Sequence, residues 1–251
     1  MTTDDTTKLS DAQLAADLAV EAGKVLMELR GQGLVGKELK DAGDRTSHEF
    51  LMHALARHRP GDVVLSEEGA DDRARLVAER VWIVDPVDGT REYSEPGRTD
   101  WAVHVALWEK GDLVAGAVSR PAAGVVHSTD NPLAGDSVDA GRIRLAVSRS
   151  RPPEFVSRLA EILHAELVPM GSAGVKAMSV VTGESDAYVH AGGQYEWDSA
   201  APVAVARAAG LHTSRLDGSP LVYNQPNPWL PDLIICRPPV LAAIREGLDK
   251  L

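Results

Sequence analysis

Cysteine is almost absent from the sequence: the 251-residue chain has one, Cys236. A single thiol excludes an internal disulfide, and its place after the apolar run Leu233-Ile234-Ile235 predicts an inert, buried side chain. Aromatic residues are scarce, with five Trp, four Tyr and two Phe, so few groups are left for stacking on a flat ligand. No apolar run approaches the roughly 18 residues of a membrane span. Positive charge is short as well: 26 Lys and Arg stand against 37 Asp and Glu, for a net charge of −11. That balance argues against a nucleic-acid polymer or an anionic membrane as partner. The acidic start Met1-Thr2-Thr3-Asp4-Asp5 lacks the basic and apolar stretches of a secretory signal. With the lone cysteine, it predicts a cytoplasmic protein. Composition is otherwise that of a globular chain, 44% hydrophobic and 25% charged, long enough to bury a sizeable core.

Ser10-Asp11-Ala12-Gln13 reads as a capping box opening a helix that ends near Gly31. A second helix is predicted over 46–58, with Phe50, Leu51, Ala54 and Leu55 inward. Strands then take over: 63–65, 81–84, 101–108, 113–118 and 124–128. Helices followed by strands suggest an antiparallel sheet with helices on one face. Residues 130–141 are rich in Asn, Pro, Gly, Asp and Ser and read as a linker. The second half alternates. Strands are predicted at 143–147, 167–170, 187–190 and 233–236, with helices after Pro152-Pro153, over 173–182, over 198–209 and after Pro238-Pro239. The organisation is therefore an N-terminal α+β half over 1–130 and a C-terminal α/β half over 142–251, joined as one intimate unit.

The chemistry concentrates at Trp82-Ile83-Val84-Asp85-Pro86-Val87-Asp88-Gly89-Thr90. A buried strand ends at two acids, and Pro86 is expected to stop it and force a turn. Gly89 lets the backbone approach a ligand, and the following amides can point at an anion. Acids beside anion-binding amides suit a hard cation lying between them and a phosphate. All candidate ligands are oxygens, which favours Mg²⁺ or Mn²⁺ over Zn²⁺. His48, His53 and His58 recur at intervals of five, do not share a helix face, and read as solvated or structural. Each acid also has a plainer reading. Asp198 suits a helix N-cap, Asp85 a strand-end turn, and Glu67 and Glu68 an acidic surface shared with Asp71 and Asp72.

Taken together the segments resemble a family. Asp85-Pro86-Val87-Asp88-Gly89-Thr90, Glu196-Trp197-Asp198-Ser199-Ala200-Ala201 and Ser66-Glu67-Glu68 are similar, in that order, to motifs of the lithium-sensitive, magnesium-dependent inositol monophosphatase-like phosphatases. The resemblance runs from about Leu14 to Cys236. It implies the layered α-β-α-β-α sandwich of the inositol monophosphatase and fructose-bisphosphatase type, two or three Mg²⁺ ions, and a homodimer. It implies one metal on Glu67, Asp85 and the Val87 carbonyl, and a second on Asp85, Asp88 and Asp198, with Glu68 a weaker alternative to Glu67. Thr90 would orient the attacking water with help from an acid at the start of the second helix. That acid is Asp44 by its distance to Leu51, or Asp41. The threonine that the family places before it is missing, since the segment reads Lys40-Asp41-Ala42-Gly43.

Further segments resemble the bisphosphate nucleotidase branch: Gly89-Thr90-Arg91-Glu92-Tyr93, Val147-Ser148-Arg149-Ser150-Arg151, and Leu216-Asp217-Gly218-Ser219-Pro220-Leu221 with Tyr223-Asn224. Gly171-Ser172-Ala173-Gly174-Val175-Lys176 is similar with altered spacing. This resemblance implies hydrolysis of the 3'-phosphate of 3'-phosphoadenosine 5'-phosphate to AMP, with the sulfated form as a further substrate and a place in sulfur assimilation. Asp88, Gly89, Thr90, Arg91, Arg149, Gly171, Ser172, Lys176 and Asp198 would touch substrate. Tyr195, Tyr223 and Trp229 are the aromatics available for a base. The competing expectations are an inositol monophosphatase with fructose-bisphosphatase activity, and a nucleotide- or metal-binding regulator without turnover.

Overall fold

The computed structural model describes residues 9–133, 141–150 and 152–251. Most of the linker read at 130–141, Arg151 and the acidic N-terminus lie outside the described residues. Seven α-helices are described: α1 (Asp11–Arg30), α2 (Gly36–His58), α3 (Thr90–Ser94), α4 (Glu154–Leu163), α5 (Ala173–Thr182), α6 (Glu196–Ala208) and α7 (Leu241–Leu248). The first sheet is ordered β1 (Val63–Ser66), β2 (Arg80–Asp88), β3 (Ala102–Glu109), β4 (Asp112–Arg120) and β5 (Val125–Ser128). Its β1–β2 pair is parallel and the others are antiparallel, so the sheet is mixed. The second sheet runs β7 (Glu166–Met170), β6 (Arg144–Ser148), β8 (Ala187–Tyr195), β10 (Trp229–Cys236) and β9 (His212–Ser214).

Alternation along the strands builds the layers. Val103, Val105 and Leu107 of β3, with Trp82 and Val84 of β2, face α1 and α2 in one core. Ala102 and Ala106, with Val81 and Ile83, face the other way, into a core shared with α5, α6 and the second sheet. Leu145, Ala187, Val189, Ile234 and Cys236 point to the far side of the second sheet and meet Leu159 of α4 and Ile244 of α7. The result is five layers, α-β-α-β-α. The first sheet is covered on both faces, because the second half supplies α5 and α6 to the face that α1 and α2 leave open. Cys236 is buried, which pushes its thiol up to about 12. Among the described residues no helix is long and apolar enough to cross a membrane.

Several expectations need correction. Helix α2 begins at Gly36, not near residue 46, because Leu39, Ala42 and Gly43 bury one face of its charged first turns. Only half of the capping box forms. Ser10 Oγ accepts from the Gln13 N–H at 3.1 Å, while the Gln13 side chain bonds Asp17 instead. Strand β2 does not stop at Pro86 but runs to Asp88. Its pairing with β3 is interrupted between Asp85 and Asp88, so the missing N–H of Pro86 costs no ladder bond. Strand β9 was not anticipated from the sequence.

Helix α6 crosses β4 closely at Gly116. A Cβ at that position would lie 2.7 Å from Ala204 Cβ and 3.3 Å from the Ala201 carbonyl oxygen. Gly116→Val should lower stability by about 2 kcal/mol or more through overpacking. Urea unfolding measures this, and a parental midpoint would contradict the tight crossing.

Candidate active site

The acids converge from three elements. Asp85 and Asp88 sit on the interrupted end of β2, where the Pro86 carbonyl accepts a buried hydrogen bond of 2.8 Å from Ser47 Oγ of α2. Asp85 Oδ1 accepts from the Val87 N–H at 3.0 Å. Gly89 then turns the chain at φ 84° into α3, and a Cβ there would fall 2.9 Å from Ser172 Cβ. Asp198 is the third residue of α6, not its N-cap, and its Oδ2 accepts from the Tyr195 N–H at 2.6 Å. One oxygen from each of Asp85, Asp88 and Asp198 lies within 4.8 Å of the others. Glu67 follows β1, is held by its N–H to the Val84 carbonyl at 3.4 Å, and shares a hydrogen bond with Asp85.

Burial and mutual repulsion dominate the electrostatics. Burial first, then the charges of Glu67, Asp88 and Asp198, push Asp85 well above the usual carboxylate range. Glu67 is an exposed residue overall, but its carboxyl end is hemmed in by protein. That desolvation and the Asp198 charge raise it to about 7. Asp198 rises to about 6 through burial and Asp88. Asp88 is the exception. Burial alone would raise it, but the facing His104 and the Gly174 N–H outweigh that and hold it low. Both Asp88 oxygens take donors from the start of α5, Ala173 N–H at 3.0 Å and Gly174 N–H at 2.6 Å. Asp44 rises to about 7, by burial and then by Glu68 and Asp41, while a hydrogen bond with Thr90 pulls the other way. The Thr90 hydroxyl also reaches the Val87 carbonyl at 3.2 Å. Asp41 instead pairs with Lys37 at an exposed position, so Asp44 is the acid beside Thr90.

The cluster opens into a cavity of about 540 Å³ between the two halves. Of the residues predicted from sequence, Asp88, Gly89, Thr90, Arg91, Lys176 and Asp198 are on its wall. Arg149, Gly171 and Ser172 are not. Arg149 Nη2 is bonded to Glu92 at 2.8 Å and to Glu95 at 3.0 Å. The Gly171 N–H goes to Asp100 Oδ2 at 2.7 Å, and Ser172 Oγ caps the Val175 N–H of α5 at 2.9 Å. Lys176 is buried and its ammonium bonds the Gly171 and Ser172 carbonyls, so it faces the cavity mainly as a charge. Burial lowers its pKa, opposed by Asp88 and Glu92. Sequence reasoning missed Glu92, Tyr188, His190 and Gln194 on the wall and His104 behind it. For His104 a signal existed, since it is the one polar residue in the apolar run from Trp101 to Trp108.

The donor set fits a hard divalent cation. It is made of carboxylate and carbonyl oxygens, and burial followed by mutual repulsion raises the proton affinity of Asp85, Glu67 and Asp198. Residues 9–243 match the inositol monophosphatase family. The chain belongs to that family. Within it, the chain is 52% identical to the 3'-phosphoadenosine 5'-phosphate phosphatase of Mycobacterium leprae, with 95% of each chain covered. It is 31% identical to the 3'(2'),5'-bisphosphate nucleotidase CysQ of Escherichia coli K12, over 73% of this chain and 78% of that one. Among solved structures, CysQ from Bacteroides thetaiotaomicron superposes with a TM-score of 0.78 at 26% identity, covering 90% of this chain and 97% of that one. Inositol monophosphatase II from Staphylococcus aureus gives a TM-score of 0.81 at 22% identity, covering 94% and 92%, which speaks for the fold.

The raised acids carry a pH signature. The folded state keeps protons on Asp44, Glu67 and Asp198 that an unfolded chain releases near pH 4, so their stabilising contribution is lost as pH rises through about 6 to 7. A divalent cation held by the ionised cluster would displace those protons. The rise in melting temperature caused by Mg²⁺ should therefore be larger at about pH 8 than at about pH 5, with proton release visible calorimetrically. An equal rise at both pH values would contradict this electrostatic picture.

Proposed function

We propose that the protein is a Mg²⁺-dependent phosphomonoesterase that removes the 3'-phosphate of 3'-phosphoadenosine 5'-phosphate, giving AMP and orthophosphate. The observation that carries the reading is the acid cluster at one end of a cavity of about 540 Å³, in a chain 52% identical to a phosphatase named for that substrate. Asp85 would be the shared ligand of two or three ions, with Glu67 and the Val87 carbonyl on one side and Asp88 and Asp198 on the other. Mg²⁺ held there supplies positive charge against the phosphate and lowers the pKa of the attacking water.

The chain's own groups do the rest. With its proton directed to Asp44, Thr90 Oγ1 presents a lone pair that accepts from the attacking water and aims it. Asp44, raised to about 7, is poised to take up a proton near neutral pH. The amides at the start of α3 and the Arg91 side chain line the same wall as Asp88 and face the phosphate end. The distal wall, with Val147, Pro153, Tyr188, Val189 and Tyr195, offers apolar surface for the nucleoside. Arg91 and Lys176 are the cations lining this cavity and supply positive charge for the phosphates. An inositol phosphate lacks both the base and the second phosphate and would leave these groups unused.

Two measurements test the reading. In steady-state assays with Mg²⁺, kcat/KM for the adenosine bisphosphate should exceed that for inositol phosphate by at least about tenfold, roughly 1.4 kcal/mol of transition-state binding. A ratio of one or below would reject the nucleotidase assignment. Asp198→Asn keeps an acceptor for the Tyr195 N–H and removes a buried, repelled charge. Without metal the variant should melt at or above the parent, while kcat falls by about 10² or more. Parental turnover at moderate Mg²⁺ would reduce Asp198 to a helix-end residue.

A further inference from the structure

His104 is fully buried in the middle of β3. Its neighbours on the same strand face, Ala102 and Ala106, belong to the core between the first sheet and α5 and α6. An imidazole there is costly unless both nitrogens meet polar partners. Nδ1 lies 3.0 Å from the Trp197 carbonyl, which can only accept, so Nδ1 carries a hydrogen. Nε2 lies 3.0 Å from Asp88 Oδ2, as a close ionic contact rather than a well-aligned hydrogen bond. Room for the ring depends on Gly174, where a Cβ would fall 2.1 Å from Nε2. The same glycine donates its N–H to Asp88 Oδ2 at 2.6 Å. Asp88 is thus gripped from two sides, by the start of α5 and by His104. The histidine also reaches α6 through its Nδ1, at the residue immediately before Asp198.

We propose that His104 is a positioning residue of the candidate metal centre: by bridging the Asp88 carboxylate and the Trp197 carbonyl, it fixes the spacing between Asp88 of the N-terminal half and Asp198 of the C-terminal half. The inference rests on the metal-dependent reading above. Its physical basis is that a metal ligand's affinity depends on the partner that fixes its orientation. β2 and α6 belong to different layers, and their acids meet only through packing. A side chain hydrogen-bonded to one and in close ionic contact with the other removes relative freedom that would otherwise be lost on each binding event.

Bond counting supplies the test. The amide nitrogen of Gln is as many bonds from Cα as the imidazole Nε2, and that of Asn as many as Nδ1. His104→Gln can therefore still donate towards Asp88, and His104→Asn can donate towards Trp197 but not towards Asp88. The readout is Mn²⁺ binding to the metal-free protein by isothermal titration calorimetry, alongside melting temperature. The Asn variant should bind Mn²⁺ about tenfold or more weakly, and the Gln variant should stay within about threefold of the parent. Parental affinity in the Asn variant overturns the proposal. So does an equal loss in both variants, which marks simple packing. If the Asn variant does not fold, the Gln variant decides alone, and a loss of about tenfold or more there overturns it. A parent protein that takes up no Mn²⁺ defeats the metal-dependent reading and this inference with it. Normal uptake by the parent and both variants defeats only the role of His104.

Discussion

Repulsion among buried carboxylates is the constraint on which this structure turns. Asp85 and Asp88 are buried, Asp198 is half-buried, and Glu67 follows β1 beside Asp85. A chain that placed such acids together with nothing to offset them would forfeit several kcal/mol per ion. The fold offsets one of them internally. Asp88 receives two amides from the start of α5 and faces His104, and it alone of the four stays low. The other three keep raised proton affinities. That asymmetry leaves an electrostatic arrangement that a hard cation could complete.

The layering follows from the same demand. The acids come from β2, the turn after β1 and α6, so no single element or half of the chain holds them all. They meet because α5 and α6 close the open face of the first sheet, and small residues let them come near: Gly116 under Ala204, Gly174 under His104. The cavity between the halves is then walled by Asp88 and Asp198 of the acid cluster and by residues of β6, β8 and the approach to α4.

Much of this was legible in the sequence, where the signal was local. The bounds of α5 at 173–182 agree with the helix expected there, and Asp85, Asp88 and Asp198 converge as the resemblance implied. What was missed was non-local. The first turns of α2 look like a charged loop until their buried face is known. Pro86 looks like a strand stop until the interrupted pairing with β3 is seen. Arg149 and Gly171 looked free to bind substrate. Arg149 Nη2 pairs with Glu92 and Glu95, and the Gly171 N–H with Asp100, all more than fifty positions away. His104 could be flagged as odd in an apolar strand, but its partners Asp88 and Trp197 only become visible in three dimensions.

The central claim, that the acid cluster exists to hold divalent cations, is tested most directly by anomalous diffraction from crystals of the protein grown with Mn²⁺. The account predicts at least one strong anomalous peak at roughly 2.1 Å from a carboxylate oxygen of Asp85, shared with Asp88 and Asp198 or with Glu67. Crystals at saturating Mn²⁺ with no peak among these acids, or with the ion held elsewhere while Asp85 keeps only protein contacts, would contradict it.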